Sequence, residues 1–93
     1  MAVYRLSAAV ERKLAEIYAY SLLNFGEAQA DDYFYGLHAV FDLLAQHPLM
    51  GRTFRQYRRH EHGSHTVFYA QTDYGVLIVQ IFHHNEDIDS RLD

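Results

Sequence analysis

Side chains that can move protons or hold anions are concentrated between residues 57 and 84. This set comprises Arg58, Arg59, His60, His62, His65, His83 and His84. A histidine near its ordinary pKa of about 6.5 can act as an acid or a base at neutral pH, and arginine can clamp a phosphate. Together with Tyr69, the residues His65, His83 and Arg58 would be chemically sufficient for cleavage of a phosphodiester such as RNA.

A structural role is the favoured interpretation of the same residues. A tyrosine in an apolar strand usually packs in the core with its hydroxyl hydrogen-bonded, and this is expected of Tyr69. His65 and His83 are expected to anchor the strand hairpins through side-chain hydrogen bonds. The sequence therefore predicts no catalytic residue, with His65, His83, Arg58 and Tyr69 as the set to test if there is one.

The histidines also raise the question of a metal site. His60 and His62 share one face of a strand, His65 follows the turn, and imidazoles from neighbouring strands can hold zinc. No stretch has a recognised ligand spacing, however, and there is no cysteine to supply a thiolate. Neither a metal nor a cofactor is predicted.

Four arginines form a positive cluster in an acidic chain. Arg52, Arg55, Arg58 and Arg59 are half of the eight lysine and arginine residues, whereas the formal net charge is −4. Such a cluster is either a solvated patch or a docking surface for an acidic partner, and the sequence does not choose between them. A net negative charge argues against specific binding of nucleic acid.

The elements that position these residues begin with three strands. The turns at Gly63-Ser64 and at Thr72 to Gly75 divide residues 57–83 into three strands, because Asp and Gly favour reversals. The last strand, Val76 to Phe82, is apolar at nearly every position. It is therefore expected inside the sheet rather than at its edge.

Two helices precede the strands. Ser7 is a good N-cap for a helix from Ala8 to about Asn24, and Gly26 is a C-terminal glycine. The second helix carries apolar residues at helical spacing and ends before Pro48. These are Ala30, Tyr33, Phe34, Leu37, Val40, Phe41 and Leu44. The short connection predicts an antiparallel hairpin of helices, and Gly36 suggests close packing at its position.

The remaining segments complete a single α+β domain over residues 1–93. Residues 2–7 are expected to form a strand and residues 47–56 an irregular segment. Ile88 and Leu92 are expected to fold back in a helical turn. The order is strand-helix-helix-strand-strand-strand, with the antiparallel helical hairpin packed on one face of a small, mostly antiparallel sheet.

Apolar residues of the first helix extend beyond one stripe. Leu22, Leu23 and Phe25 could belong to the core, but because the apolar surface is wider than one stripe, some of them are expected to remain exposed and to mark a groove for a partner helix. No stretch of the sequence has a leader pattern or membrane-spanning length, so a cytoplasmic location is expected.

Several phrases, in this order, resemble the ParE branch of the RelE/ParE toxin superfamily. They are YRLS-AAVERKLAEIYAYS, FGEAQADDYFYGL, LAQHPLMGR, YRRHEHGSHTVFY and GVLIVQIFHHNEDIDSRL. The resemblance implies a toxin of a type II toxin–antitoxin pair that binds and inhibits DNA gyrase. It also implies a cognate, ParD-like antitoxin with a ribbon-helix-helix N-terminal domain and a toxin–antitoxin hetero-oligomer. The partner-binding residues would be Arg52, Arg55, Arg58, Arg59, His60, His83, Leu22, Leu23 and Phe25.

The RelE relatives are ribosome-dependent mRNA endonucleases with lysines and arginines on the strands and a tyrosine near the C-terminus. Here the only lysine is Lys13, the C-terminal segment has no tyrosine, and Glu86, Asp87 and Asp89 would repel a phosphate. A non-enzymatic toxin is therefore predicted. The alternatives are a RelE-type endonuclease and a relative that has lost its toxicity.

Overall fold

The computed structural model describes residues 3–86. Two helices follow a first strand, and four further strands follow the helices. The elements are β1 (Val3–Leu6), α1 (Ala8–Phe25), α2 (Glu27–Gln46), β2 (Arg52–Phe54), β3 (Tyr57–His62), β4 (His65–Gln71) and β5 (Gly75–His83).

The strands of the described residues form one sheet in the order β1-β5-β4-β3-β2. β1 pairs with β5 in parallel, and the other neighbours are antiparallel. A parallel pair needs a long crossover, which the helical hairpin supplies. β5 has a neighbour on each side, so the prediction that Val76 to Phe82 lies inside the sheet is confirmed, as is the fold class.

The short edge strand β2 lies where the sequence indicated an irregular segment. Three residues are too few to show an alternating pattern. The two-residue turn that joins β2 to β3 contains Arg55, whose φ is 55°. Glycine or asparagine is the usual residue with positive φ in such turns, so the sequence carries no recognisable hairpin signal here.

The ends of the helices are held as the sequence predicted. The Ser7 hydroxyl accepts a hydrogen bond from the Val10 N–H (3.1 Å) and donates one to the carbonyl of Val79 (2.9 Å). Gly26, with φ of 91°, is the single residue between the helices. A positive φ costs glycine little, so the chain reverses here without a longer loop.

The main core lies between the helical hairpin and one face of the sheet. The helices contribute Val10, Leu14, Ile17, Leu37, Phe41, Leu44 and Ala45, and the strands contribute Val67, Tyr69, Val76, Ile78 and Ile81. Burial of a large apolar side chain is worth about 1.5–3 kcal/mol. The hairpin therefore depends on the sheet for most of its stability.

A bulge in β5 lets Ile78 and Ile81 face the same way although they are three residues apart. Partners on β4 pass from Phe68↔Gln80 to Tyr69↔Ile78, so Val79 is an extra residue. Phe68 and Phe82 lie on the other face of the sheet, next to Phe54 and Tyr57. The sheet consequently has a helix-covered face and an aromatic face.

Tyr69 fixes the loop after α2. It is fully buried, and its hydroxyl donates to the carbonyl of Pro48 (2.8 Å) and accepts from the N–H of Gly51 (2.8 Å). A Cβ on Gly51 would lie 2.5 Å from that hydroxyl oxygen, so the position has no room for a side chain. Tyr69 is thus a core residue with a satisfied hydroxyl.

Two expectations involve residues outside the described range. The folded-back turn with Ile88 and Leu92 lies beyond residue 86, and the extent of the domain over residues 1–93 stays a prediction. Within residues 3–86, neither helix is long and apolar enough to cross a membrane.

Removing the Tyr69 hydroxyl should destabilise the fold. Tyr69→Phe leaves the buried N–H of Gly51 without its acceptor, which should lower the free energy of unfolding by about 1–3 kcal/mol. Urea unfolding followed by circular dichroism measures this change. Tyr35→Phe, at an exposed position of α2, is the control and should leave the urea midpoint unchanged. Equal midpoints for both variants would contradict the assigned role.

Candidate functional site

A groove of about 540 Å³ opens between α1, the first turns of α2 and the ends of β4 and β5. Its lining comprises Lys13, Glu16, Ile17, Tyr20, Ser21, Phe25, Gln29, Tyr33, Ser64, His65, His83 and Glu86. Apolar residues of α1 lie at one end and charged or imidazole side chains at the other. The volume and the mixed lining are typical of a binding site.

Lys13 and Glu86 close the polar end of the groove. The Lys13 ammonium lies 2.9 Å from Oε1 of Glu86, and the same oxygen accepts a hydrogen bond from the backbone N–H of His83 (2.8 Å). The carboxylate therefore compensates the only lysine of the chain. A phosphate entering here would have to displace Glu86 or meet its negative charge.

His65 is held as a neutral imidazole. It is buried, its Nδ1 lies 2.6 Å from the Tyr33 hydroxyl, and its ring meets that of His83 edge-on at 5.2 Å between centroids. Burial, reinforced by His83 and Lys13, lowers the pKa of His65 to about 4. At pH 7 such a group is a weak base, and it lacks the second, acidic proton that an imidazolium could donate.

Tyr33 connects α2 to the hairpin of β3 and β4. Its hydroxyl also donates to the carbonyl of His62 (3.1 Å), and Gly63 would place a Cβ 2.7 Å from the Tyr33 ring. One turn along α2, a Cβ on Gly36 would lie 3.2 Å from Nε2 of His62. The close packing suggested for Gly36 is present, and it brings α2 against the strand that carries His62.

The four residues of the candidate catalytic set do not meet at one place. His65 and His83 are cross-strand partners at one end of the sheet, whereas Arg58 and Tyr69 are partners further along. Tyr69 lies four residue steps beyond His65 along β4, which corresponds to about 13 Å. The Arg58 guanidinium donates to the carbonyl of Gly51 (2.7 Å), so both members of the second pair hold the loop.

The other arginines lie along the hairpin of β2 and β3. Arg52 pairs with Glu61 at 2.8 Å, and Nε of Arg59 lies 3.6 Å from the same carboxylate. The guanidinium of Arg59 stacks over the rings of Phe54 and Phe68, and that of Arg55 lies over Phe54. The half-buried His60 lies on β3 with these arginines. The predicted arginine cluster therefore lies at the β2–β3 edge of the sheet, and Glu61 compensates part of its positive charge.

Of the three apolar residues at the end of α1, some were expected to stay exposed, and all three do. Leu23 is 86% exposed, and Leu22 and Phe25 are also exposed at the end of α1. Phe25 packs edge-on against the exposed Tyr20, with 6.4 Å between centroids, and both rings line the groove. An apolar surface thus continues from the last turns of α1 into the groove.

Sequence reasoning missed Tyr33, Lys13 and Glu86 as parts of this site. Tyr33 fits the apolar stripe of α2, and nothing in that pattern shows that its hydroxyl reaches His65, 32 residues away. Lys13 and Glu86 are 73 residues apart and meet only through the packing of α1 on β5. Among residues 3–86, no three histidine or acidic residues are grouped so that they could hold a metal.

In a comparison with known protein families, residues 4–88 of the chain match the family model "ParE toxin of type II toxin-antitoxin system, parDE". The chain belongs to the ParE toxin family. It is 35% identical to Toxin ParE1 of Caulobacter vibrioides, with 99% of each chain covered, and 34% identical to Toxin ParE1 of Mycobacterium tuberculosis, with 96% of each covered.

A solved structure with the same fold supports the architecture. A chain of the chromosomal ParDE TA system from P. aeruginosa superposes with a TM-score of 0.75 over 89% of this chain and 96% of that chain. Only 15% of the residues are identical, so this likeness concerns the fold alone. The family model and the curated relatives, rather than this structure, confirm the resemblance of the sequence to the ParE branch.

The buried imidazole should make this ParE family member less stable in acid. Between about pH 6.5 and about pH 4, the unfolded chain binds a proton at residue 65 that the folded chain excludes. As the pH is lowered through this interval, the free energy of unfolding should therefore decrease. The contribution from His65 should be up to about 1.4 kcal/mol per pH unit. Above about pH 6.5 this group should contribute no pH dependence.

Urea unfolding at several pH values measures this slope. His65→Asn keeps a polar group near the position of Nδ1 but does not titrate, so its slope should be smaller than that of the unchanged protein. The matched control is His47→Gln, at an exposed position after α2, which should keep the original slope. Identical slopes for the two variants would contradict a buried neutral His65.

Proposed function

We propose that this protein is a toxin that inhibits DNA gyrase by binding it and is neutralised by a cognate antitoxin. Membership of the ParE toxin family supplies the class. The observation that carries a non-enzymatic action is the separation of His65 and His83 from Arg58 and Tyr69, because acid–base cleavage needs all groups within reach of one phosphate.

The electrostatics of the groove support the same proposal. Its lysine is compensated by Glu86, and its buried histidine is neutral at pH 7. Stabilising a phosphorane requires uncompensated donors aimed at the developing charge. A protein surface does not impose that requirement, so the target of this ParE family member is a protein rather than a phosphodiester.

The antitoxin is expected on the surface formed by the groove and the end of α1. Exposed Leu22, Leu23 and Phe25 offer anchors for an apolar helix face. The partner would be a ParD-like antitoxin with a ribbon-helix-helix N-terminal domain, forming a hetero-oligomer in the cytoplasm. The polar contacts proposed for the antitoxin or for gyrase are Arg52, Arg55, Arg58, Arg59 and His60, with His83 at the groove.

Induction of the gene in bacteria without its antitoxin tests the function. An SOS response and gyrase trapped on cleaved DNA should appear while messenger RNA stays intact, and purified protein should inhibit supercoiling. Codon-specific cuts on ribosomes, lost in a folded His83→Gln variant, would overturn the proposal in favour of the endonuclease. Normal growth with the folded protein present would identify a relative without toxicity.

Charge placed at the end of α1 should weaken antitoxin binding. Leu23→Glu puts a carboxylate on the expected apolar contact and should raise the Kd at least about tenfold, while the urea midpoint stays unchanged because the side chain is exposed. Leu49→Glu is the matched control: Leu49 is 66% exposed but lies in the loop after α2. Calorimetric titration with the antitoxin measures both, and equal loss in both would contradict the assigned surface.

A further inference from the structure

The groove beside α1 runs along this helix rather than across it. The α1 residues that line it are spaced as one face of a helix: Lys13, Glu16, Ile17, Tyr20, Ser21 and Phe25. At about 1.5 Å per residue, they extend over about 18 Å. A partner helix of about three turns can therefore lie along the groove with one side against α1.

The ionisable side chains of the groove give it a negative charge. One lysine, Lys13, lines it together with two glutamates, Glu16 and Glu86. The low pKa of about 4 leaves the buried His65 neutral at pH 7. With both histidines of the lining counted as neutral, one positive and two negative charges leave a formal charge of −1. Nζ of Lys13 and Oε1 of Glu86 are 2.9 Å apart, so the excess charge is that of Glu16.

Glu16 carries this charge without a partner among residues 3–86. Its exposed carboxylate forms neither an ion pair nor a hydrogen bond there, although Arg12 lies one turn earlier on α1. Lys13 is also one turn away, but its ammonium is bound to Glu86. Solvent therefore satisfies the Glu16 carboxylate in the free protein.

A helix that occupies the groove removes this solvent from Glu16. Covering a carboxylate without supplying an opposite charge is strongly unfavourable. A lysine or arginine at the same point instead forms a charge-assisted hydrogen bond with it. Helices with an acidic or an apolar residue there are consequently rejected, and this rejection is a source of specificity.

The exposed apolar residues of α1 fix where the partner's cation must lie. Tyr20 and Leu23 are four and seven residues beyond Glu16, so the three side chains share one face of α1. A helix lying along α1 has the same rise per residue and meets them with side chains at the same spacing.

We propose that Glu16 determines the specificity of the groove, and that it selects an antitoxin helix with lysine or arginine four and seven positions from its apolar anchors. This inference rests on the antitoxin proposed above as the occupant of the groove. It assigns to Glu16 an ion pair that forms only in the complex.

Calorimetric titration of the full chain with the purified cognate antitoxin tests the role of the charge. Glu16→Gln should raise the Kd at least about fivefold, and Glu16→Lys should raise it further. Salt separates charge from shape, because added salt should weaken binding of the unchanged protein more steeply than binding of Glu16→Gln. The matched control is Glu11→Gln, which changes the net charge equally at an exposed position of α1 outside the groove and should keep the original Kd.

Exchange of charge between the two proteins identifies the partner residue. The lysines and arginines of the antitoxin helix are changed to glutamate one at a time. One of these variants should bind the Glu16→Lys protein more tightly than the unchanged antitoxin does.

The possible outcomes separate this inference from the proposed function. If the unchanged protein binds the antitoxin while Glu16→Gln and Glu11→Gln have equal Kd values, the inference is overturned and the proposed function stands. Failure of the unchanged protein to bind the antitoxin overturns the proposed function itself. A dimer of the unchanged protein that excludes the antitoxin would assign the groove to a second copy and would also overturn the inference.

Discussion

The fold depends on one constraint: a single glycine joins the two helices, so both must pack on the same face of the sheet. Gly26 reverses the chain at a positive φ, and the helical hairpin then serves as the crossover between the parallel strands β1 and β5. The sheet can bury only one side of each helix. The last turn of α1 therefore stays exposed with Leu22, Leu23 and Phe25, and the groove forms where α1 leaves the strand ends.

Most groups that could have done chemistry are used to hold this arrangement. Tyr69 and Arg58 fix the loop after α2, Tyr33 and His65 join α2 to β4, and Glu86 binds Lys13. Each of these polar groups is buried or half-buried and has a hydrogen-bond or ion-pair partner, as polar groups removed from solvent generally do. The exposed apolar end of α1 and the arginine-rich β2–β3 edge of the sheet are not needed for this arrangement, and they are the surfaces that we propose for partner binding.

Sequence patterns predicted the elements whose signals are long or local. Four signals were sufficient to locate α1, α2 and β5 in the sequence. They are the apolar stripe of α2, the Ser7 cap, the glycine between the helices and the apolar residues of β5. Strand β2 was missed because three residues and an arginine in a left-handed turn give no pattern. The site was only partly predictable, since Tyr33 with His65 and Lys13 with Glu86 meet through packing between distant segments.

The parallel pairing of β1 with β5 also sets the order of events during synthesis. Val3 pairs with Gly75, so the first strand waits for almost the whole chain before it can enter the sheet. Contacts that join such distant segments form late and slowly. The completed sheet, and the groove beside it, can therefore form only after β5 has emerged from the ribosome.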